Sequence, residues 1–161
     1  MPTPVNQATF YLIKHFESFR GKAYRCPAGV WTIGWGHTGD VEEGQCIDRD
    51  EAGFLLLTDV QKTADAIEPL ILFELNENQF GALVSFAFNA GLGNFRNSTL
   101  LRRLNQGDLA AVPGQLKRWV FITNPVTRQK EVSNGLLRRR EAEAALWQTE
   151  PGELMPQTAE E

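Results

Sequence analysis

HFESFRGKAYRCPAGVWTIGWGHTGD, residues 15–40, places an acid, a thiol and a hydroxyl in one short passage: Glu17, Cys26 nine residues on, and Thr32 six beyond that. Before it, Phe10, Leu12, Ile13 and Phe16 recur at helical spacing, which predicts a helix over residues 7–18 with Glu17 near its end. After Arg20 the signal changes. Aromatic and β-branched residues alternate around Val30-Trp31-Thr32-Ile33-Gly34-Trp35, so residues 20–45 read as a small antiparallel hairpin or three-stranded sheet. Gly29, Gly34, Gly36 and Gly39 let the backbone fold back tightly there. A carboxylic acid facing a second polar group across a cleft is the arrangement that glycosidic bond cleavage requires.

The rest of the chain reads as helix. Asp48-Arg49-Asp50-Glu51 is a candidate capping box for a helix running to about Ile67 and ended by Pro69. Asn76 to Asn89 is apolar nearly all round, as a buried central helix should be, with Gly91 and Gly93 as its stop. Short helices are expected near 98–106 and 108–118, the second made irregular by Pro113-Gly114. Asn124-Pro125 marks a turn. Ser133 or Asn134 caps a last helix over about 135–148. The polar, proline-containing tail of residues 151–161 reads as disordered. This pattern makes an α+β fold, mostly helical, with one small sheet near the N-terminus.

Composition narrows the function classes. The 161 residues suit one domain, with or without a cleft dividing it into two lobes. An apolar share of 42% supports a core without metal or disulfide. The net charge of −4 disfavours nucleic acid as a partner, and no apolar run reaches the roughly 18–20 residues of a membrane span, so no stable membrane insertion is expected. The N-terminal residues lack a basic start and a small-residue cleavage site, which points to a protein held in the cytoplasm. Cys26 and Cys46 then read as free thiols rather than a bridge, although a bridge between them is a second reading.

Several residue types here can do chemistry. Glu17 as general acid must hold its proton near neutral pH; partial burial against Phe16 and Phe19 would favour that. A free thiol such as Cys26 titrates near 8.5, so it is mostly neutral at pH 7; it orients water weakly, acts as thiolate beside a cation, or merely packs. Thr32 can hold a water as donor and acceptor, or serve only as a strand former. His37 is expected to pair with Asp59, bridging sheet and following helix. Cys26, His37 and Cys46 fit no compact zinc spacing, and neither metal nor cofactor is expected. Arg138, Arg139 and Arg140 are about 100° apart on a helix, so at least one can face a cleft while others stay in a solvated face with Glu141 and Glu143.

Taken together the chain resembles the phage-type lysozymes, or endolysins, of glycoside hydrolase family 24. That family's pattern is Glu, eight residues, Asp or Cys, five residues, Thr, which Glu17, Cys26 and Thr32 match without a gap. The likeness continues through GWGHTG (34–39), DEAGFLLLTDV (50–60), NQFGALVSFAFNAGLGNFRNSTLLRRLNQGD (78–108), Trp119 and GLLRRREAEAAL (135–146). It implies a lysozyme-like domain over residues 1–150, with a β-containing lobe at about 18–60, a helical lobe at about 70–148 joined by the N-terminal helix, and a cleft between them. It also implies Glu17 as acid, Cys26 and Thr32 as water-orienting positions, and His37–Asp59 as a salt-bridged pair. Asn89 becomes a glycan-binding position, and Arg139 or Arg140 the holder of the catalytic glutamate. Cysteine stands where aspartate is commoner.

The implied substrate is the glycan strand of peptidoglycan, cut between N-acetylmuramic acid and N-acetylglucosamine. The implied setting is the host bacterial cytoplasm, with action on the wall in the periplasm after a holin permeabilises the membrane, and a monomer is expected. Rival readings are a thiol hydrolase with Cys26 as nucleophile and His37 as base, a wall-binding module without catalysis, and a lytic transglycosylase.

Overall fold

In the computed structural model, which describes residues 3–153, the first helix begins where its capping residue dictates. Asn6 is extended and its side-chain oxygen accepts from the Thr9 N–H, opening α1 (Gln7–Phe16). The helix stops short of residue 18. Glu17 is its C-cap, with extended backbone (φ −91°, ψ 138°), and its N–H still donates to Ile13 O at 3.1 Å. The turn out of the helix brings Phe19 against Trp35, ring centroids 4.9 Å apart.

The glycine-rich passage forms an antiparallel sheet of β1 (Arg20–Arg25), β2 (Trp31–Gly34) and β3 (His37–Thr38), in that order. Thr32 sits mid-sheet, opposite Tyr24 on one side and Thr38 on the other. The tight turn between β2 and β3 needs a left-handed residue at Gly36 (φ 82°), and its backbone passes beside the Glu17 carboxylate: a Cβ there would lie 3.8 Å from Oε2.

Asp48 caps α2 (Arg49–Ile67) by accepting from the Glu51 N–H. A reciprocal capping box forms instead at α3 (Glu77–Ala90), between Asn76 and Gln79. Pro69 lies in a single 3₁₀ turn, Glu68–Leu70, that continues from α2. Helix α3 is the buried centre, with every residue from Asn78 to Ala87 buried except Gln79. It packs against α1, α2 and α7 (Asn134–Gln148). Backbone contact with α1 is close: a Cβ on Gly81 would meet Thr9 Oγ1 at 1.8 Å, so glycine is required where the two helices cross. Buried amides tie the same region together. Asn6 Nδ2 donates to Asn78 Oδ1 (2.8 Å), and Asn78 Nδ2 donates to Thr149 O beyond the end of α7 (2.9 Å).

Three local readings change. Gly91 ends α3, but Gly93 lies inside a short helix, α4 (Leu92–Arg96), which places Phe95 in the core against Phe86. After α5 (Thr99–Asn105) and a 3₁₀ turn at Leu109–Ala111, Pro113 falls in the first turn of α6 (Val112–Leu116). No intrahelical bond is lost there, so it begins a helix instead of interrupting one. A second, two-stranded sheet, β4 (Phe121–Thr123) with β5 (Lys130–Val132), flanks the Asn124-Pro125 turn. Its strands are three residues each and exposed throughout, so they show no alternation of apolar and polar residues. Of the two residues expected to cap the last helix, Ser133 does so, accepting from the Leu136 N–H at the start of α7. The architecture is mixed, mostly helical with small antiparallel sheets. Of the tail expected to be disordered, residues 154–161 lie outside the described residues.

Candidate active site

Glu17 leaves α1 at the edge of a cavity of about 430 Å³ lined also by Gly36, Thr38, Asp59, Lys62, Thr63, Phe88 and Asn89. The walls therefore come from the β2–β3 turn, β3, α2 and α3. The Glu17 side chain is 25% exposed and opens onto the cavity. Its expected apolar cover differs from the sequence reading. Phe19 packs on Trp35, and the Phe16 ring lies 5.8 Å from the Arg139 guanidinium, so the closest partner of the carboxylate is a cation.

That cation settles the choice among the arginines. Arg138 is exposed, whereas Arg139 and Arg140 are buried. Arg139 Nη1 donates to Glu17 Oε1 at 2.8 Å, leaving Oε2 on the Gly36 side. The same guanidinium donates through Nε to Glu143 Oε2 (3.3 Å) and through Nη2 to Ser85 O (3.3 Å). Arg140 donates through Nη2 to Asn89 Oδ1, and its Nη1 stands 2.9 Å from Glu143 Oε1. Glu143 also accepts from the Ser85 hydroxyl at 2.6 Å. Burial pushes the Glu143 carboxyl up from its ordinary value, while Arg140 foremost, then Ser85 and Arg139, pull against that rise.

On the sheet, Cys26 and Thr32 lie beside each other but do not line the cavity around Glu17; Thr38, the cross-strand neighbour of Thr32, does. Thr32 is buried and donates to Val30 O at 3.0 Å. Both cysteines are free. Cys46 pairs from outside the strands with Lys22 on β1, whereas Cys26 follows the end of that strand, so the bridge reading does not hold. The Cys26 thiol is drawn below its ordinary value, chiefly by the backbone of Val30; desolvation opposes this, and Ala28 and the Thr32 hydroxyl add weaker pulls downward. A lowered folded value favours thiolate. In a Cys46→Ser background the iodoacetamide rate of Cys26 should therefore reach half its plateau at a lower pH than that of a free cysteine thiol measured alongside. The same bonds stabilise the fold above the unfolded thiol value and stop doing so as pH falls through the folded one. A midpoint at or above that of a free thiol would remove the thiolate from consideration.

His37 Nδ1 meets Asp59 Oδ2 at 2.7 Å, bridging β3 and α2. The hydrogen bond that His37 makes goes to Asp59 and not to Cys26, the partner that the thiol-hydrolase reading calls for. Among the described residues, no three His, Cys, Asp or Glu side chains converge as metal ligands.

Sequence reasoning missed Glu143, Ser85, Lys62, Thr63, Thr38 and Phe88. For Glu143 a signal existed, since it stands four residues after Arg139 and three after Arg140, on their helix face. That spacing also describes a solvated salt bridge, and only the packing of α7 on α3 makes it buried.

The chain is similar to several known proteins. The family model described as phage lysozyme matches residues 14–143. An endolysin from Acyrthosiphon pisum secondary endosymbiont phage 1 is 34% identical over 145 residues, covering 90% of this chain and 98% of that protein. A SAR-endolysin from Bacteriophage PS119 is 40% identical over 134 residues, covering 81% of this chain and 77% of that protein. Among solved structures, the muramidase domain of SpmX from Asticaccaulis excentricus superposes with a TM-score of 0.85 at 36% identity, covering 91% of this chain and 98% of that one.

Proposed function

The chain belongs to the phage lysozyme family, and on that premise we propose that Glu17 is the general acid that cuts its glycan substrate. The protein is a glycoside hydrolase of the lysozyme type, a peptidoglycan-hydrolysing phage endolysin that serves host lysis. The bond is the β-1,4 link between N-acetylmuramic acid and N-acetylglucosamine. One observation carries the assignment of the acid: the Glu17 carboxyl opens onto the cavity with Oε1 held by Arg139. Because Oε1 is occupied by a donor, the transferable proton belongs on Oε2. That oxygen lies beside the Gly36 backbone, where no side chain blocks a sugar ring.

Glu17 protonates the glycosidic oxygen as the bond to the anomeric carbon breaks. Water attacks that carbon from the opposite face, beyond the cavity that Glu17 lines; the Cys26 sulfur accepts its proton, and Thr32 Oγ1, whose own hydrogen is committed to Val30 O, orients it as a second acceptor. The lowered value of Cys26 supports this role, since thiolate accepts a proton better than thiol. Asn89, fixed by Arg140 at the cavity wall, hydrogen-bonds the glycan, and the His37–Asp59 pair braces the sheet against α2. The catalytic unit spans residues 1–150, with the sheet-bearing lobe and the helical lobe on either side of the cleft, and it acts as a monomer.

The wall is reached after a holin permeabilises the membrane. No helix among the described residues is long and apolar enough to cross a membrane, and α1 spends its apolar face on the core through Leu12 and Ile13. Release from a membrane anchor, raised by the name of the SAR-endolysin relative, is the alternative, and lysis on expression without a holin would favour it.

A mass spectrum of digested muropeptides tests the chemistry. New reducing ends are expected, with inverted configuration in fresh product by NMR. Free amines would instead mean a peptidase, and anhydro ends a transglycosylase.

A further inference from the structure

Glu143 is the only buried acidic side chain among the described residues, and no step above uses it. A carboxylate is costly to bury unless charges and donors compensate it, and three do: Arg139 Nε and the Ser85 hydroxyl at Oε2, and Arg140 Nη1 near Oε1. The two arginines then diverge. Arg139 reaches Glu17 and Arg140 reaches Asn89, and these two residues line the same cavity. A long guanidinium side chain is loose unless its plane is fixed. The Nε contact with Glu143 fixes that plane for Arg139, which aims Nη1 at Glu17.

We propose that Glu143 is a positioning residue, the branch point that sets both arginines so that the acid Glu17 and the glycan-binding Asn89 meet the substrate at a fixed separation. It rests on the reading of Glu17 as acid. A purely stabilising role explains less, since an apolar group of similar shape fills such a site as well as an ion cluster does and aims nothing. Charge follows the same geometry. Arg139 is shared between two carboxylates, and neutralising Glu143 leaves its whole charge acting on Glu17. The groups around them are Arg139 and Arg140 from α7, Ser85 and Asn89 from α3, and Asp59 and Lys62 from α2.

The test is reducing-end release from peptidoglycan by the full chain across pH. Glu143→Gln should lower kcat about 100-fold, the cost of a misplacement near 1 Å, with a smaller rise in KM. Ser85→Ala, which removes one donor to Glu143, should lower kcat about tenfold. Glu141→Gln, an exposed acid on the same helix, should match the parent. A folded Glu143→Gln with parental kcat overturns the proposal; so does a parental kcat in Ser85→Ala should Glu143→Gln fail to fold. Failure of the underlying reading looks different, as a parent that makes no new reducing ends or a fully active Glu17→Gln.

Discussion

Glu17→Gln is expected to fold as the parent does and to lose wall lysis by about 10³-fold, within the range a single assisting proton donor supplies. Glutamine keeps the size of the side chain and an acceptor oxygen for Arg139 Nη1, so the wall of the cleft stays in place. It has no proton to give a leaving sugar oxygen. Stability should change little, because position 17 is a partly exposed C-cap held mainly by its backbone N–H to Ile13. Arg139 keeps Glu143 as a counter-charge, so no cation is stranded. The measurements are reducing-end release and a thermal melt on one preparation. Normal lysis by a folded variant would end the assignment of Glu17 as acid.

Arg139→Met should damage both stability and activity. Removing one member of a buried ion cluster leaves the other uncompensated, a loss of about 3–5 kcal/mol. Here the stranded group is Glu143, fully buried and left with Arg140 and the Ser85 hydroxyl. For a domain of this size each kcal/mol shifts the melting temperature by roughly 2–4 °C, so a fall of about 10 °C is expected. Activity should fall further than unfolding explains, since Glu17 loses the donor that fixes Oε1. Arg139→Lys separates the two effects. An ammonium keeps the charge near Glu143 but lacks the fork that serves Glu17, Glu143 and Ser85 together, so stability should recover more than lysis does. A parental melting temperature for Arg139→Met would mean the cluster contributes no net stability. Recovery of full lysis in Arg139→Lys would mean the fork does not orient the acid.

Most helices were legible because their ends are written locally. Asn6, Asp48, Asn76 and Ser133 each cap with a side chain that accepts from a backbone N–H three residues on, an interaction independent of the rest of the fold. The hairpin of β4 and β5 was not legible. Its side chains are all exposed, so no buried face imposes a pattern, and its turn alone showed in the chain.

By itself, the order of residues determined the helical frame, the glycine-turned sheet, the buried character of α3 and the spacing of Glu17, Cys26 and Thr32, because each depends on neighbours within a few positions. Tertiary structure alone decided that Arg139 grips Glu17, that Arg140 turns to Asn89, and that Glu143 lies beneath both rather than in water. Adjacent helical residues point about 100° apart, so the rotation of α7 against α3 selects which arginine meets a carboxylate 122 positions away in the chain. That rotation is set by packing across the whole core, which no short stretch of sequence contains.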